Sequence, residues 1–348
     1  MKRALFGVLA LFCLVILIPA AFAEEGGAGT PWFKPTLRVS AEFDVGDAAY
    51  TFDTKGAALL GLANADLKLP NDARLYLATE LPFAVTDRLT VAVGASWAFS
   101  DTGQDLEEKY NNTDTIRRYW ERDDRGDRVT ADFLVSYAIL KDVSVIQDLS
   151  VVGGVRWDYR NMLFTDPHNA LGVASVPGDT IDFRMQTLAP VFGLACTFIG
   201  RESGFMGGNI KLGVLAGPVV WGSVDYRESF SNVSAIRFKD DLSHGYIVKA
   251  SLELPILAGP ITPRLGGSLS FFANYTRVEV NGGVEGTSYA GINPVGRSPY
   301  DFEFANDVMV FGLAASLAFD LYGTPEPVSA PPAPAPVIEP KLEPMSQN

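Results

Sequence analysis

Along much of the chain, apolar and polar side chains alternate with a period of two. In RLTVAVGASWAF, Arg88 to Phe99, the residues Leu89, Val91, Val93, Ala95, Trp97 and Phe99 share one parity; Thr90, Ala92, Gly94, Ser96 and Ala98 share the other. TLRVSAEFDV sets Leu37, Val39, Ala41, Phe43 and Val45 against Arg38, Ser40, Glu42 and Asp44, and LSVVGGVRWDYR sets Leu149, Val151, Val155, Trp157 and Tyr159 against Ser150, Arg156, Asp158 and Arg160. Successive side chains of a strand point to opposite faces, so this pattern predicts strands with one face against an apolar medium.

Ten such stretches are predicted, at 36–45, 73–83, 88–100, 128–140, 149–160, 181–198, 209–226, 244–255, 262–280 and 301–321. The connections alternate between long (46–72, 101–127, 161–180, 227–243, 281–300) and short (84–87, 141–148, 199–208, 256–261). A soluble sandwich has no reason to collect its long loops at one end. A transmembrane barrel pairs short periplasmic turns with long outer loops, and strands of about ten residues tilted near 40° cross an apolar layer of roughly 25 Å. The predicted fold is therefore all-β: an antiparallel up-and-down transmembrane barrel of ten strands, monomeric, in the outer membrane.

Aromatic residues support that frame. Phe43, Trp97, Phe99, Trp157, Tyr159, Tyr226, Tyr246 and Tyr275 fall at the predicted outer rim, and Phe83, Tyr137, Phe198, Phe319 and Tyr322 at the periplasmic rim, as amphipathic rings at two interfaces should. Pro190 and Pro218 lie inside predicted strands and cannot donate to a ladder, which predicts bulges there. Residues 55–70 are assigned to the first outer loop, because an eleventh strand would spoil the even count.

The flanks read differently. Lys2 and Arg3, an apolar run from Leu5 to Ile18 and Ala21-Phe22-Ala23 make residues 1–23 a predicted signal peptide, followed by an extension at 24–35, the barrel at 36–322 and a tail at 323–348. The tail carries Pro325, Pro327, Pro331, Pro332, Pro334, Pro336, Pro340 and Pro344 and is expected to be extended and periplasmic. It resembles the Pro-Ala linker of barrels of the OmpA type; the leading expectation is a disordered spacer, and the alternative is contact with the cell wall or a partner. The stretch DVMVFGLAASLAFDLY resembles the terminal recognition strand of such barrels, which implies assembly by the barrel-insertion machinery.

Charge narrows the function. The net charge of −13 deepens to −15 without Lys2 and Arg3, which excludes nucleic-acid binding. Beyond the signal segment only Cys196 remains, so no internal disulfide forms. No zinc spacing, phosphate-binding glycine loop or nucleotide fingerprint occurs, so neither metal nor cofactor is expected. The expected partners are outer-membrane lipid and lipopolysaccharide. The acidic loop 101–127, with nine acidic and five basic residues, reads as a solvated surface.

Polar residues on the inward parity are the first candidate site. Arg38, Glu42, Asp44, Glu80, Asp132, Arg156, Asp158, Arg160, Asp182, Arg184, Lys211, Lys249, Glu253 and Arg264 are predicted to form a paired charge ladder in the lumen, since an isolated buried charge costs several kcal/mol. Gly94, Gly154, Gly213 and Gly266 on the same parity leave room for water and for an ion path.

The second candidate comes from a resemblance. FRMQTLAPVFGLACTF, Phe183 to Phe198, together with ten strands and five long outer loops, resembles the omptins, outer-membrane aspartate/histidine-dependent proteases. That resemblance implies an Asp pair in one outer loop facing an Asp-x-His pair in another, with a water activated between them. The chain departs from the pattern: Val224-Asp225-Tyr226-Arg227 lacks the histidine. The remaining candidates are His168 with Asp166, and His244 beside Asp240 and Asp241, with Asp101 or Asp105 opposite. Ser243-His244 does not make a hydrolase pair, because strand neighbours point to opposite faces. The leading expectation is a non-enzymatic surface barrel serving envelope integrity, surface binding or limited small-solute diffusion. The alternative is an omptin-like protease with a rearranged or degenerate site.

Overall fold

The computed structural model describes residues 35–319 except 55–63, 70–71, 102–105, 111–115, 123–126, 170–179, 202–203, 206, 231–233, 243, 263 and 291–292. The predicted signal peptide and proline-rich tail lie outside the described residues. The described residues form sixteen strands: β1 Thr36–Thr54, β2 Asn64–Leu69, β3 Asp72–Ala84, β4 Leu89–Asp101, β5 Leu106–Tyr110, β6 Ile116–Arg122, β7 Asp127–Val143 and β8 Ile146–Asn169 in the first half. The second half holds β9 Thr180–Arg201, β10 Gly204–Phe205, β11 Gly208–Pro218, β12 Trp221–Phe230, β13 Ser234–Leu242, β14 His244–Thr262, β15 Leu265–Ala290 and β16 Asn293–Phe319.

Antiparallel pairing runs β1, β3, β4, β7, β8, β9, β11, β14, β15, β16 and back to β1, a ring of ten strands. Each of the ten predicted strands supplies one member. On the outside of this ring, large apolar residues stand exposed: Leu37, Val39 and Phe43 on β1, on the predicted parity, Met309, Phe311, Leu313 and Leu317 on β16, and Phe192 and Leu194 on β9, on the parity opposite to the predicted one. So continuous an exposed apolar surface is a membrane-facing surface. On β16 it spans Met309 to Phe319, roughly 25 Å of height for a strand tilted near 40°.

The strands are longer than that band requires. β15 has 26 residues and β16 has 27. Above the first ring the pairing runs β1, β2, β5, β6, β8, β9, β12, β13, β15, β16 and back to β1, a second ring of ten. Five strands, β1, β8, β9, β15 and β16, run through both storeys. The other five members are exchanged at four forks.

Several sequence expectations are corrected here. Residues 64–69 form β2 rather than outer loop, the loop 101–127 contains β5 and β6, and 227–243 contains most of β12's end and β13. The stretch 209–226 is two strands, broken at Val219-Val220. Pro190 and Pro218 mark no bulge. They lie where β9 changes partner from β11, last paired at Phe192 with Ala216, to β12, first paired at Leu188 with Trp221. Proline there removes an N–H that the fork would leave without a ladder partner. The chains approach so closely that a Cβ on Gly217 would lie 1.8 Å from the Pro190 carbonyl oxygen.

In the upper storey the polarity of the wall inverts. On β16 the outward residues become Asp307, Glu303 and Asp301, while the inward Tyr300, Phe302, Phe304, Val308 and Val310 are buried. On β15 outward Tyr275 gives way to Arg277 and Glu279, with Val278, Val280 and Val284 buried inside. The β15–β16 register is unbroken from Leu265 to Ser288, so no bulge causes the switch. The surrounding medium does: the same strand faces lipid below and water above. The upper interior joins Phe164, Phe183, Met185, Val224, Tyr226 and Leu242 into one apolar core.

A charge on the outer wall should therefore cost most below the switch. Leu313→Arg, near mid-band, is expected to destabilise the inserted barrel by about 2–4 kcal/mol, and Glu303→Arg by under about 0.5 kcal/mol. Urea unfolding from lipid vesicles measures both, and equal costs would contradict this placement of the membrane.

Candidate functional site: the lumen and its rim

Strand alternation places every second residue of the lower storey in the lumen, and the charged ones pair. The sequence RWDYR puts Arg156, Asp158 and Arg160 on one face of β8. Across the ladder, Asp132 is opposite Arg156, Thr130 opposite Asp158 and Arg128 opposite Arg160. Arg156 Nη1 donates to both Asp132 carboxylate oxygens at 3.2 Å, and its Nη2 lies 3.8 Å from Asp158. Arg160 Nε donates to Asp158 Oδ1 at 3.1 Å, and its guanidinium lies 5.1 Å from the Phe304 ring centre. Arg128 donates to the Tyr76 hydroxyl at 3.3 Å. The facing arginines Arg128 and Arg160 would repel, and Asp158 between them on the same face offsets that repulsion. These residues form a largely buried collar at mid-height.

A second group lies lower. Glu253 on β14 accepts from Ser270 at 2.8 Å, and its other oxygen lies 3.4 Å from Arg38 Nη1 and 3.7 Å from Lys211 Nζ. Arg38 stacks over Phe272, 4.8 Å from the ring centre. Gly312 accommodates that ring: a Cβ there would lie 2.4 Å from Phe272. Glu80 and Lys249 also occupy the inward parity, and Lys211 and Glu80 are exposed, so water reaches the lower lumen. Arg264 lies in the turn between β14 and β15. Glu42 and Asp44 belong to β1, opposite Gly312 and Val310.

Besides Arg264, two members of the predicted ladder are elsewhere. Asp182 and Arg184 pair with each other at 2.8 Å on the outside of the upper storey, with 33% and 52% of their side chains exposed. Ile181, Phe183 and Met185 take the inward parity. The expectation turned the odd, apolar positions of β9 to lipid; in the structure they face inward along the whole strand, Val191 included, while Phe192 and Leu194 face out. Tyr226 is corrected for the same reason: it is buried in the upper interior and is not part of the outer aromatic rim. Trp97 and Phe43 do stand exposed at that rim, Trp157 and Tyr159 stack at 6.0 Å, and Trp221 joins them unpredicted.

The histidine candidates are spread over the rim. His168 lies near the top of β8 opposite Tyr119, and Asp166 lies two residues before it. Asp101 ends β4 opposite Arg74, and Asp105 lies outside the described residues. Since Trp97, Val129 and Tyr159 share one level, His168 sits about five residues higher than Asp101, roughly 16 Å along the strand direction. His244 opens β14 opposite Asn281, three strand spacings from β8. Beside it, Asp240 accepts from the Glu285 and Asp241 backbone N–H groups at 3.2 and 2.9 Å, closing the fork where β15 passes from β14 to β13. The wall carries a recess of about 360 Å³ there, lined by Asp240, Glu285, Arg297 and Tyr300 among others. Among the described residues no group of three or more His, Cys, Asp or Glu side chains converges to hold a metal ion.

No described protein family and no curated protein sequence matches the chain. Among solved structures it is similar to the outer membrane protease OmpT from Escherichia coli, with 11% identity, a TM-score of 0.53, and coverage of 84% of this chain and 99% of that one. The chain has the fold of an outer-membrane β-barrel. Two further barrels are similar more distantly: the outer membrane protein OprG from Pseudomonas aeruginosa (10% identity, TM-score 0.36, 83% and 96% covered) and the translocator domain of the autotransporter NalP from Neisseria meningitidis (8%, 0.33, 91% and 97%).

The collar and the outer pairs should differ in energy. Asp158→Ala leaves three arginines around a buried gap and is expected to cost about 3–5 kcal/mol, whereas Asp182→Ala should cost under about 1 kcal/mol. Unfolding titrations of the two inserted variants test the difference.

Proposed function

We propose that the protein is a non-enzymatic outer-membrane barrel that carries a binding surface above the bilayer and contributes to envelope integrity. The observation supporting this most directly is the two-storey wall. On β16 roughly 40 Å of wall stands above the lipid band, with an apolar core inside and ion pairs outside, as in a soluble domain. Such a pedestal presents its rim to the exterior. The recess at the β13–β15 fork gives that rim a concave, mixed-charge feature. Outer-leaflet lipid and lipopolysaccharide meet the wall where Arg277 lies between the Tyr246 ring at 5.8 Å and Asp307 at 3.7 Å. The filled collar argues against a wide aqueous pore, and the separation of Asp101 from His168 argues against a general-base pair.

The test is cleavage of a mixed peptide library by the folded protein in vesicles containing lipopolysaccharide, beside His168→Ala and His244→Ala. Heat-modifiable gel migration verifies folding. An intact library in all three samples is expected. Cleavage that disappears in either histidine variant would replace this reading with an omptin-like protease and identify its base.

A further inference from the structure

Three arginines stand in one row across the outer wall of the upper storey. Arg227 on β12 is opposite Asp182 on β9 and Arg237 on β13, Arg237 is opposite Thr287 on β15, and Thr287 is opposite Arg297 on β16. Arg227, Arg237 and Arg297 are exposed. Like charges directly opposite on adjacent strands repel, so Arg227 beside Arg237 is a cost that the fold leaves in place. Carboxylates answer the row only from its lower side, where Asp225 lies 3.4 Å from Arg237 and Glu285 3.3 Å from Arg297. Asp182 turns down to Arg184 at 2.8 Å, and among the described residues Arg227 makes no ion pair. On the upper side of the row, Ser229 and Thr180 face each other.

The recess of about 360 Å³ opens directly beneath this row. Arg237 with Thr287 and Phe238 with Gly286 are the lowest β13–β15 pairs, and below them the two strands part. Asp240 and Glu285 bring carboxylates to the recess, with Pro299 and Tyr300 beside them. A Cβ built on Gly283 would meet no atom within 4 Å, so the space in front of it is unfilled. Asp240 accepts one backbone N–H on each oxygen and keeps lone pairs for further donors. Such a volume is at the small end for ligand pockets and suits a single ring with its substituents. The row also stands clear of the bilayer's own phosphates. Trp221, exposed at the outer rim, lies six residues below Arg227 on β12, roughly 15 Å along the membrane normal, whereas the headgroup layer adds only about 5–8 Å to the hydrocarbon.

We propose that Arg227 and Arg237 hold the phosphate or sulfate group of a water-borne saccharide, and that the recess beneath Arg237 takes its ring. Two guanidinium forks on one tetrahedral oxyanion remove the like-charge repulsion of the row. Ser229 and Thr180 offer hydroxyls from above, and the hydroxyls of the sugar donate to Asp240 and Glu285. This names a ligand class for the binding surface above the bilayer and rests on that reading.

Calorimetric titration of the full chain in non-ionic detergent tests it, after heat-modifiable migration has shown each sample to be folded. The probes are a panel of hexose phosphates and hexose sulfates, inorganic phosphate and the uncharged hexoses. At least one hexose ester is expected to bind about tenfold or more tighter than inorganic phosphate or the plain sugar. Arg227→Gln and Arg237→Gln should each weaken that ester by about fivefold. Arg88→Gln removes an exposed arginine from the turn after β3, at the far end of the barrel, and should leave it unchanged. Gly283→Leu fills the recess and should bring the ester down to the affinity of inorganic phosphate. Esters that all bind no better than inorganic phosphate would overturn the recess assignment. No loss in the two arginine variants, or an equal loss in Arg88→Gln, would overturn the arginine pair. Displacement of the ester by lipopolysaccharide in vesicles would assign the pair to a lipid headgroup and overturn the water-borne source. An intact peptide library without ester binding overturns the saccharide site alone, whereas cleavage of the library overturns the surface-binding reading itself.

Discussion

A bilayer offers the backbone no hydrogen-bond partner, and the rest of this structure follows from that absence. Each strand that crosses lipid must pair on both sides, so the ten crossing strands join in a ring with no free edge. Once the ring is imposed, side chains have only two places to go. Lipid takes one parity and the lumen takes the other. The lumen of a ten-stranded ring is narrow, so charges within it must find one another: Asp132 with Arg156, Asp158 with Arg160, Glu253 with Arg38.

The same ring continued into water meets a reversed demand. Outside, Asp307 and Arg277 replace Leu313 and Tyr275; inside, Phe302 and Phe304 replace Ala314 and Ser316. One strand thereby serves as a membrane strand over its lower half and as a soluble-barrel strand over its upper half. No bulge intervenes on β15 or β16, so the side chains keep their faces and only the residue types change.

The ten crossing strands were legible because each has one apolar parity over about ten residues, and the collar was legible because RWDYR on one face of a narrow lumen has no other way to be satisfied. The upper storey was harder to read. LEEKY and IRRYWER, which form β5 and β6, carry charges on both parities and show no apolar face. On β16 the signal was present but ambiguous: apolar residues occupy even positions from Tyr300 to Phe304 and odd positions from Met309 to Leu317. Without an inserted residue, such a change of parity reports a change of medium, and applying the lipid rule above that point put Asp182 and Arg184 in the lumen. The cross-lumen contact of Arg38 with Glu253 could not be read at all, since no local spacing links residues 215 positions apart.

The four forks obey the constraint that built the ring. Where a long strand changes partner, a few backbone groups lose their ladder, and they are tolerable only near water or with substitutes. On β1 the change falls between Asp44 and Ala48, and on β8 between Asn161 and Phe164, level with the first outward polar residues. On β15 it falls higher, between Asn281 and Gly286, where the Asp240 carboxylate takes up the Glu285 N–H. The β9 fork is the lowest, between Leu188 and Phe192, within the apolar band. It is also the one that has most been provided for. The Val219 and Val220 N–H groups donate to the Gly245 and Leu188 carbonyls at 2.9 and 3.0 Å, and Pro190 and Pro218 bring no N–H to be stranded. The deeper a fork lies, the more completely its backbone must be satisfied within the protein, and this gradient is what a wall standing half in lipid and half in water requires.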